Sequence, residues 1–577
     1  MPKRVVAVVA VAALIAGAAW FVLRPDSGVP DDAPTEDEMA RAVGSEVMQH
    51  LYLGHVPGRS GEVLMVPKPH HFLISKWDMT QLDGPTPPLG STHPNPWSYL
   101  TRVPIVAYGP GVTPGVTVEA PVDIAAIAPT YAEILGMTDF RGEADPLREV
   151  VGTRTRPPRL IFTIVVDGGG WNTLQEHPDS WPAIGRLMEG GVTYVNATIG
   201  SAPSITGALH ATFGTGVYPR SHGLPGHVMR NGEGELVDVY LEEADPQFLD
   251  APTVSELWDV KNGNRPIVGT VAFEGWHLGM IGHGAQRRGN DKDIAVLWER
   301  EEQEWWTNEA YYSLPPGIEN VDQARLASYE LALDRRDGIT DGTWFGHTVE
   351  ELREPTVRPG TPAFVRLTGD VIVDYILGSD LGRDRLTDLF WVEMKMPDFA
   401  GHSWNMVGPE QADVLRETDT QIARMKSALD EVVGPENYLL VLSADHGQQP
   451  LPDLYGGWRI NTGEVEADIE ERFGDVIDQV TPADVFLDMD AMAREGWEPE
   501  DVARYLGAYT VADSIPEGQP GADLVPEGRL DDRVFAAAFS TGFLDSLDPV
   551  ADPSRIESFG EGDYPESSFV LPDQSEQ

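Results

Sequence analysis

Cysteine is absent from all 577 residues, which excludes disulfides, thiolate metal ligands, cysteine nucleophiles and acylation of a lipoprotein cysteine together. Positive charge is the second shortage. Lys and Arg number 41 against 92 Asp and Glu, a formal net charge of −51. A field of that sign repels phosphate backbones, so binding to a nucleic-acid polymer is not expected; the excess acid reads as a solvated surface. No internal repeat or low-complexity array is evident, and the length is ample for one large α/β domain with an insertion or for two domains.

Long apolar runs are limited to one. Lys3 and Arg4 precede an uninterrupted stretch from Val5 to Leu23, closed by Arg24 and Pro25. At a rise of ~1.5 Å per residue it spans a bilayer core, and it is longer than the usual apolar part of a secretory signal. Residues 1–29 therefore read as a signal anchor and linker, a membrane contact with the basic pair inside and the body exported. Ala16-Gly17-Ala18 offers a cleavage site that would instead release the body. Oligomeric state leaves no mark in the sequence.

What the chain does have is a set of apolar strands that each deliver an acid. The run from Leu160 to Val166 lacks alternation, as expected of a strand buried on both faces of a parallel sheet, and it ends in Asp167-Gly168-Gly169-Gly170. The layout recurs at residues 388–393, leading to Asp398, and at 438–444, leading to Asp445. Open α/β sheets carry their chemistry at the C-terminal ends of such strands. Between them, Ala412, Leu415, Thr418, Ile422, Met425 and Leu429 are spaced for the buried face of a helix from Pro409 to Val432. Glu36 to about Leu53 and Asp123 to Leu135 also read as helices, and the last thirty residues as poorly ordered.

Asp398 and His402 stand four apart across Gly401, Asp445 and His446 are adjacent on a turn that Gly447 permits, and Asp167 adds a carboxylate. Carboxylate oxygen and imidazole nitrogen suit Zn²⁺-like cations, and two such ions about 4 Å apart can clamp the attacking and leaving oxygens of a phosphoryl transfer. Each pair alone is more often a salt bridge or a cap; joint placement at strand ends favours a site. None of the fourteen histidines lies beyond His446, so a further imidazole has to come from upstream, and His93, in Gly90-Ser91-Thr92-His93, is best placed. A hydroxyl is a weak nucleophile until a cation lowers its pKa. Thr206, opening a helix whose N-terminal amides favour a phosphoryl oxygen, is the candidate, with plain capping by Ser204 or Thr206 as the structural alternative. His210 and His222 read as loop-shaping residues.

Together, Val165-Val166-Asp167-Gly168, Thr206 with His210, the run from Thr215-Gly216 through Pro219 to His222-Gly223, Asp398 with His402, and Ala444-Asp445-His446-Gly447 resemble the alkaline phosphatase superfamily, in particular its type I phosphodiesterase/nucleotide pyrophosphatase branch. Arg59-Ser60-Gly61-Glu62-Val63, Thr92-His93, residues 101–105, Tyr108-Gly109-Pro110-Gly111, Asp123-Ile124 and residues 128–130 are similar to segments that close that family's domain at its C-terminus. Their order is rotated, as in a circular permutation.

The resemblance implies an α/β fold: an alkaline phosphatase-like core with a mostly parallel central sheet flanked by helices on both faces, plus an inserted cap. On that pattern residues 30–140 are the permuted C-terminal part, 141–158 a connector, 159–231 the core with the nucleophile, 232–385 an aromatic-rich insertion forming a cap or substrate wall, 386–545 the core with the metal motifs, and 546–577 an acidic tail. It further implies two divalent metal ions, Zn²⁺ before Mn²⁺, one held by Asp167, Thr206, Asp445 and His446 and the other by Asp398, His402 and His93. Thr206 would form a phosphothreonine that water then hydrolyses, and the substrate would be a small phosphoester.

Two departures bear on specificity. Where the family places an Asn donor to a phosphoryl oxygen, this chain has Gly226-His227; where monoesterases carry a Lys-x-Arg pair, it has Phe273-Glu274-Gly275-Trp276. Without that pair a monoester dianion is less well neutralised, so a diester is the expected substrate and a monoester the alternative, with Arg287 and Arg288 as substitute cations. A sulfatase is disfavoured, since no Cys is present and Ser201-Ala202-Pro203-Ser204-Ile205 lacks the required Arg. A non-catalytic binding module would be favoured only if Thr206 or two ligands were missing.

Overall fold

The computed structural model describes residues 29–30, 32–74, 91–154, 156–240, 244–516, 518, 525–549 and 551–564. The apolar run from Val5 to Leu23 lies outside them. Among the described residues no helix is long and apolar enough to cross a membrane.

Ten strands form the central sheet: β1 (Arg102–Tyr108), β2 (Val116–Val118), β3 (Val122–Asp123), β4 (Leu160–Val166), β5 (Val192–Thr198), β6 (Val268–Val271), β7 (Ile294–Glu299), β8 (Glu304–Trp306), β9 (Asp388–Met394) and β10 (Tyr438–Ser443). The order across the sheet is β8-β7-β6-β9-β4-β10-β1-β5-β2, with β3 also on β5. The block β7-β6-β9-β4-β10 is parallel throughout. Register is tight at its centre, where Leu160 of β4 lies opposite both Asp388 and Tyr438, so the chain leaves β4, β9 and β10 at one edge.

Alternate residues of these strands enter two separate cores. Ile161, Val165, Leu389, Trp391, Leu439 and Val441 face one; Phe162, Ile164, Phe390, Val392, Leu440 and Leu442 face the other. Helices cover both faces, which is why the sequence runs are apolar without alternation. They include α1 (Thr206–Thr215), α2 (Pro362–Gly378), α3 (Met396–Ser403) and α4 (Pro409–Val432), and Leu415, Ile422, Met425 and Leu429 of α4 are buried as expected.

Three departures from the sequence-based expectations have clear causes. Residues 232–385 were expected as an insertion, yet β6, β7 and β8 belong to them. These short strands follow turns rich in Gly and polar residues, which hid their period. The expected helix from Glu36 to Leu53 breaks into Glu36–Val43 and Ser45–Gly54 at Gly44, whose φ of 85° ends the first helix. Within the expected tail, Ile556 and Phe559 are buried beside Leu51 and Leu544, so residues 551–564 are packed.

The N-terminal part is integral to the core. β1 pairs antiparallel with β10 on one side and β5 on the other. Farther out, Val63–Pro67 joins a second sheet with Ile477–Val480, Asp484–Leu487 and Phe535–Ser540. Ile105 of β1 is fully buried, so Ile105→Ala should cost about 2–5 kcal/mol and lower the thermal midpoint of the whole body. A separate early transition, with the main midpoint unchanged, would show that this segment is not part of the core.

Candidate metal centre

β4 runs directly into Asp167, β10 leads through Ala444 to Asp445 and His446, and the first turn of α3 after β9 carries Asp398. Asp167, Asp445, His446 and Thr206 have no solvent exposure, and Asp398 only 1%. His93 is brought to them by the loop before β1 and is also buried. The same loop is clamped to the segment before Thr206: Ser204, the alternative cap for α1, donates its hydroxyl to the carbonyls of His93 and Asn95, and no side chain caps α1.

The imidazoles are oriented from behind. Nδ1 of His93 donates to Ser204 O at 2.7 Å, Nδ1 of His402 to Ser91 O at 2.6 Å and Nδ1 of His446 to Gly447 O at 2.9 Å. A carbonyl can only accept, so each Nδ1 carries a proton, and in the neutral ring Nε2 is left as a lone pair. Those lone pairs face carboxylates. His93 Nε2 is 3.5 Å and His402 Nε2 3.2 Å from Asp398 Oδ1, while His446 Nε2 is 3.3 Å from both Asp167 Oδ1 and Asp445 Oδ2. Burial holds His93 and His446 below the ordinary imidazole range; for His402 the Asp398 carboxylate outweighs burial and raises it. Among the described residues Asp167 Oδ1, Asp445 Oδ2 and His446 Nε2 have no hydrogen-bond partner. Acceptor facing acceptor in a dry site requires positive charge between them, and carbonyl-locked imidazoles beside carboxylates are the donor set of a metal centre. His93, Asp398 and His402 are close enough to share one ion, as are Asp167, Asp398 and His446.

Lys395, a cation that the sequence pattern did not single out, stands at the centre. Its Nζ donates to Asp167 Oδ2 at 2.7 Å and to Thr206 Oγ1 at 3.2 Å, and lies 2.8 Å from Asp398 Oδ2. Burial opposes its charge, but Asp167 and Asp398 outweigh burial and raise its pKa. Burial pushes the Asp167 carboxyl up, but Lys395 together with His277 and His446 outweighs it and holds that carboxyl below its usual range. Its position three residues before Asp398, at the head of α3, was the available signal.

Beneath this layer lies another that was missed. His210, expected to shape its loop, donates from Nδ1 to Thr206 O at 2.9 Å and sets Nε2 2.7 Å from Glu393 Oε2. His277 Nε2 lies 3.9 Å from both Asp167 Oδ2 and Glu393 Oε1, and these four residues are also close enough to share an ion. His222 does shape the loop, with Nδ1 accepting from Leu224 N.

His227 stacks on Trp276 with ring centroids 3.7 Å apart, and burial pushes its pKa down to about 3. It lines a cavity of about 390 Å³ with His93, His402, Ile205, Val480 and Phe486. The far wall therefore comes from the hairpin of residues 477–487, while Trp276 of the expected cap backs His227. Arg287 donates to Glu256 at 3.2 Å, and neither it nor Arg288 lines the cavity.

The centre thus places a buried hydroxyl among side chains that could hold a metal ion. Residues 161–510 match the model of the type I phosphodiesterase / nucleotide pyrophosphatase family, and the chain belongs to that family, within the phosphoester hydrolases of the alkaline phosphatase superfamily. It is 23% identical over 396 residues to alkaline phosphatase PafA of Elizabethkingia meningoseptica, covering 60% of this chain and 72% of that protein. It is 24% identical over 350 residues to alkaline phosphatase PhoD of Zymomonas mobilis subsp. mobilis, covering 54% and 57%. The crystal structure of wild-type PafA superposes with a TM-score of 0.52 at 20% identity, over 61% of this chain and 76% of that one, and so shares the fold.

At the cavity rim, burial raises the Asp484 carboxyl to about 7 from 3.8. Ionising it therefore costs folding energy that develops as pH rises from about 4 to 7, at about 1.4 kcal/mol for each pH unit between. Asp484→Asn should match the wild type near pH 4 and become the more stable protein toward pH 8, read from denaturant midpoints. A difference that stays constant with pH would contradict this.

Proposed function

We propose that the chain hydrolyses small phosphoric esters, diesters first, through a phosphothreonine on Thr206 at a two-cation centre. The observation that carries this is the ring of imidazole Nε2 atoms, each held from behind at Nδ1 by a carbonyl, facing buried carboxylates around the Thr206 hydroxyl. On this reading Asp167, Thr206, Asp445 and His446 hold one ion and Asp398, His402 and His93 the other, a nitrogen and oxygen set that suits Zn²⁺. Such ions supply the charge that acidifies a hydroxyl and draws phosphoryl oxygens.

The chain's own groups do the rest. Thr206 Oγ1 bonds to phosphorus while the ester oxygen departs as an alcohol; water then cleaves the phosphothreonine and restores the hydroxyl. Lys395 orients the Thr206 oxygen and offsets charge gathering on it. His227 is placed to donate to a phosphoryl oxygen, and Ile205, Val480 and Phe486 offer an apolar wall to the second ester group of a diester. The motif order is read as a circular permutation, supported by a family match that begins at residue 161 while His93 lies 3.5 Å from Asp398. The second reading, a phosphate monoesterase, is favoured by relatives named as alkaline phosphatases, PafA and PhoD among them.

Hydrolysis of bis-p-nitrophenyl phosphate and p-nitrophenyl phosphate separates the two. The diester should be the better substrate by kcat/KM, and a clear preference for the monoester would install the second reading. Thr206→Ala should lose on the order of 10⁴-fold or more in kcat with metal content retained, and His93→Ala should lose one of two metals; near-normal turnover or full metal retention would remove each residue from its role. Lys395→Gln should lower kcat about 100-fold in a folded protein, and an unchanged kcat would leave Lys395 a purely structural cation.

A further inference from the structure

A second concentration of unneutralised charge lies away from the centre. Asp259, near the end of the helix Val254–Lys261, meets Asp291 and Asp293 from the loop that enters β7, and one oxygen of each lies within 4.8 Å of the others. Asp259 is 1% and Asp293 5% exposed. Neither oxygen of Asp259 has a hydrogen-bond partner among the described residues.

No ion pair to these three carboxylates is present among the described residues, and Arg287, Lys292 and Arg265 are engaged elsewhere. Arg287 pairs with Glu256, Lys292 donates to the carbonyl of Glu309, and Arg265 donates to the carbonyl of Asn262. Two neighbouring asparagines add neutral oxygens. Asn290 donates its amide to Asp293 Oδ2 at 3.4 Å and Asn264 donates its amide to Gly289 O at 3.2 Å, which leaves a buried Oδ1 on each without a partner. Burial and the adjacent Asp291 push Asp259 up to about 7, the response of a carboxylate that lacks a counter-charge.

Three carboxylates with amide oxygens nearby, and no imidazole or thiolate, form a hard all-oxygen donor set. Ca²⁺ takes six to eight such oxygens in flexible geometry, whereas Zn²⁺ prefers nitrogen and sulfur. We infer that Asp259, Asp291 and Asp293 form a Ca²⁺ site, separate from the catalytic centre, that ties the loop of residues 287–293 to the helix Val254–Lys261. The cation would replace a proton shared among the three acids. Its role is to fix the entry to β7 at the far side of the parallel block.

The test is calorimetric titration of CaCl₂ into the full chain as purified, with thermal midpoints recorded alongside. Wild type should take up Ca²⁺ saturably and gain several degrees in midpoint. Asp259→Asn and Asp293→Asn should each weaken that binding at least tenfold while leaving phosphoester hydrolysis unchanged. Asp291→Asn, at an exposed position that folds readily, should weaken it too. Absence of saturable binding in the wild type would overturn the site in favour of a shared proton, and binding unchanged in all three variants would place the calcium elsewhere.

Discussion

The structure is organised around one electrostatic demand: carboxylates and imidazole lone pairs are packed against each other out of water, and only positive charge between them makes that arrangement tolerable. Isolated buried charge costs several kcal/mol per group. Here the cost is concentrated at the ends of β4, β9 and β10, where Asp167, Asp398 and Asp445 have lost essentially all solvent. Lys395 meets part of the demand with a fixed ammonium shared between Asp167 and Asp398. The remainder, at His446 Nε2 and Asp445 Oδ2, is what a bound cation would meet.

The scaffold makes that demand reproducible. Main-chain carbonyls of Ser91, Ser204 and Gly447 hold three imidazoles by Nδ1, so ligand direction is set by backbone and not by flexible side chains. Two of those carbonyls sit in segments far apart in sequence. Ser204 accepts a hydrogen bond from His93 Nδ1 at its carbonyl and donates its hydroxyl to the His93 carbonyl, which joins the segment before Thr206 to the N-terminal segment. β1 of that segment is wedged between β10 and β5, so His93 is tied both to the sheet that follows it and to Ser204.

Much of this was legible in sequence because the relevant strands are buried on both faces and therefore unbroken in hydrophobicity. The runs before Asp167, Asp398 and Asp445 announced themselves, and the helix from Pro409 to Val432 was bounded correctly by its apolar spacing. The lack of any histidine after His446 pointed upstream to His93, which the structure places 3.5 Å from Asp398. Lys395 was obscure for the opposite reason: a lysine at a strand end normally reaches solvent, and only three-dimensional closure shows it trapped between two acids. Glu393 and His277 are single polar residues in apolar or irregular stretches, without a spacing that singles them out. The cavity wall from residues 477–487 depends on pairing between Val63–Pro67 and Asp484–Leu487, a long-range register that local patterning does not encode.

The most direct measurement is anomalous diffraction at the zinc edge from crystals of the protein grown with zinc. The account predicts two peaks per chain about 4 Å apart, one among Asp167, Asp445, His446 and Thr206 and the other among Asp398, His402 and His93. No peak at either position, with Lys395 still bridging Asp167 and Asp398 at saturating zinc, would contradict it.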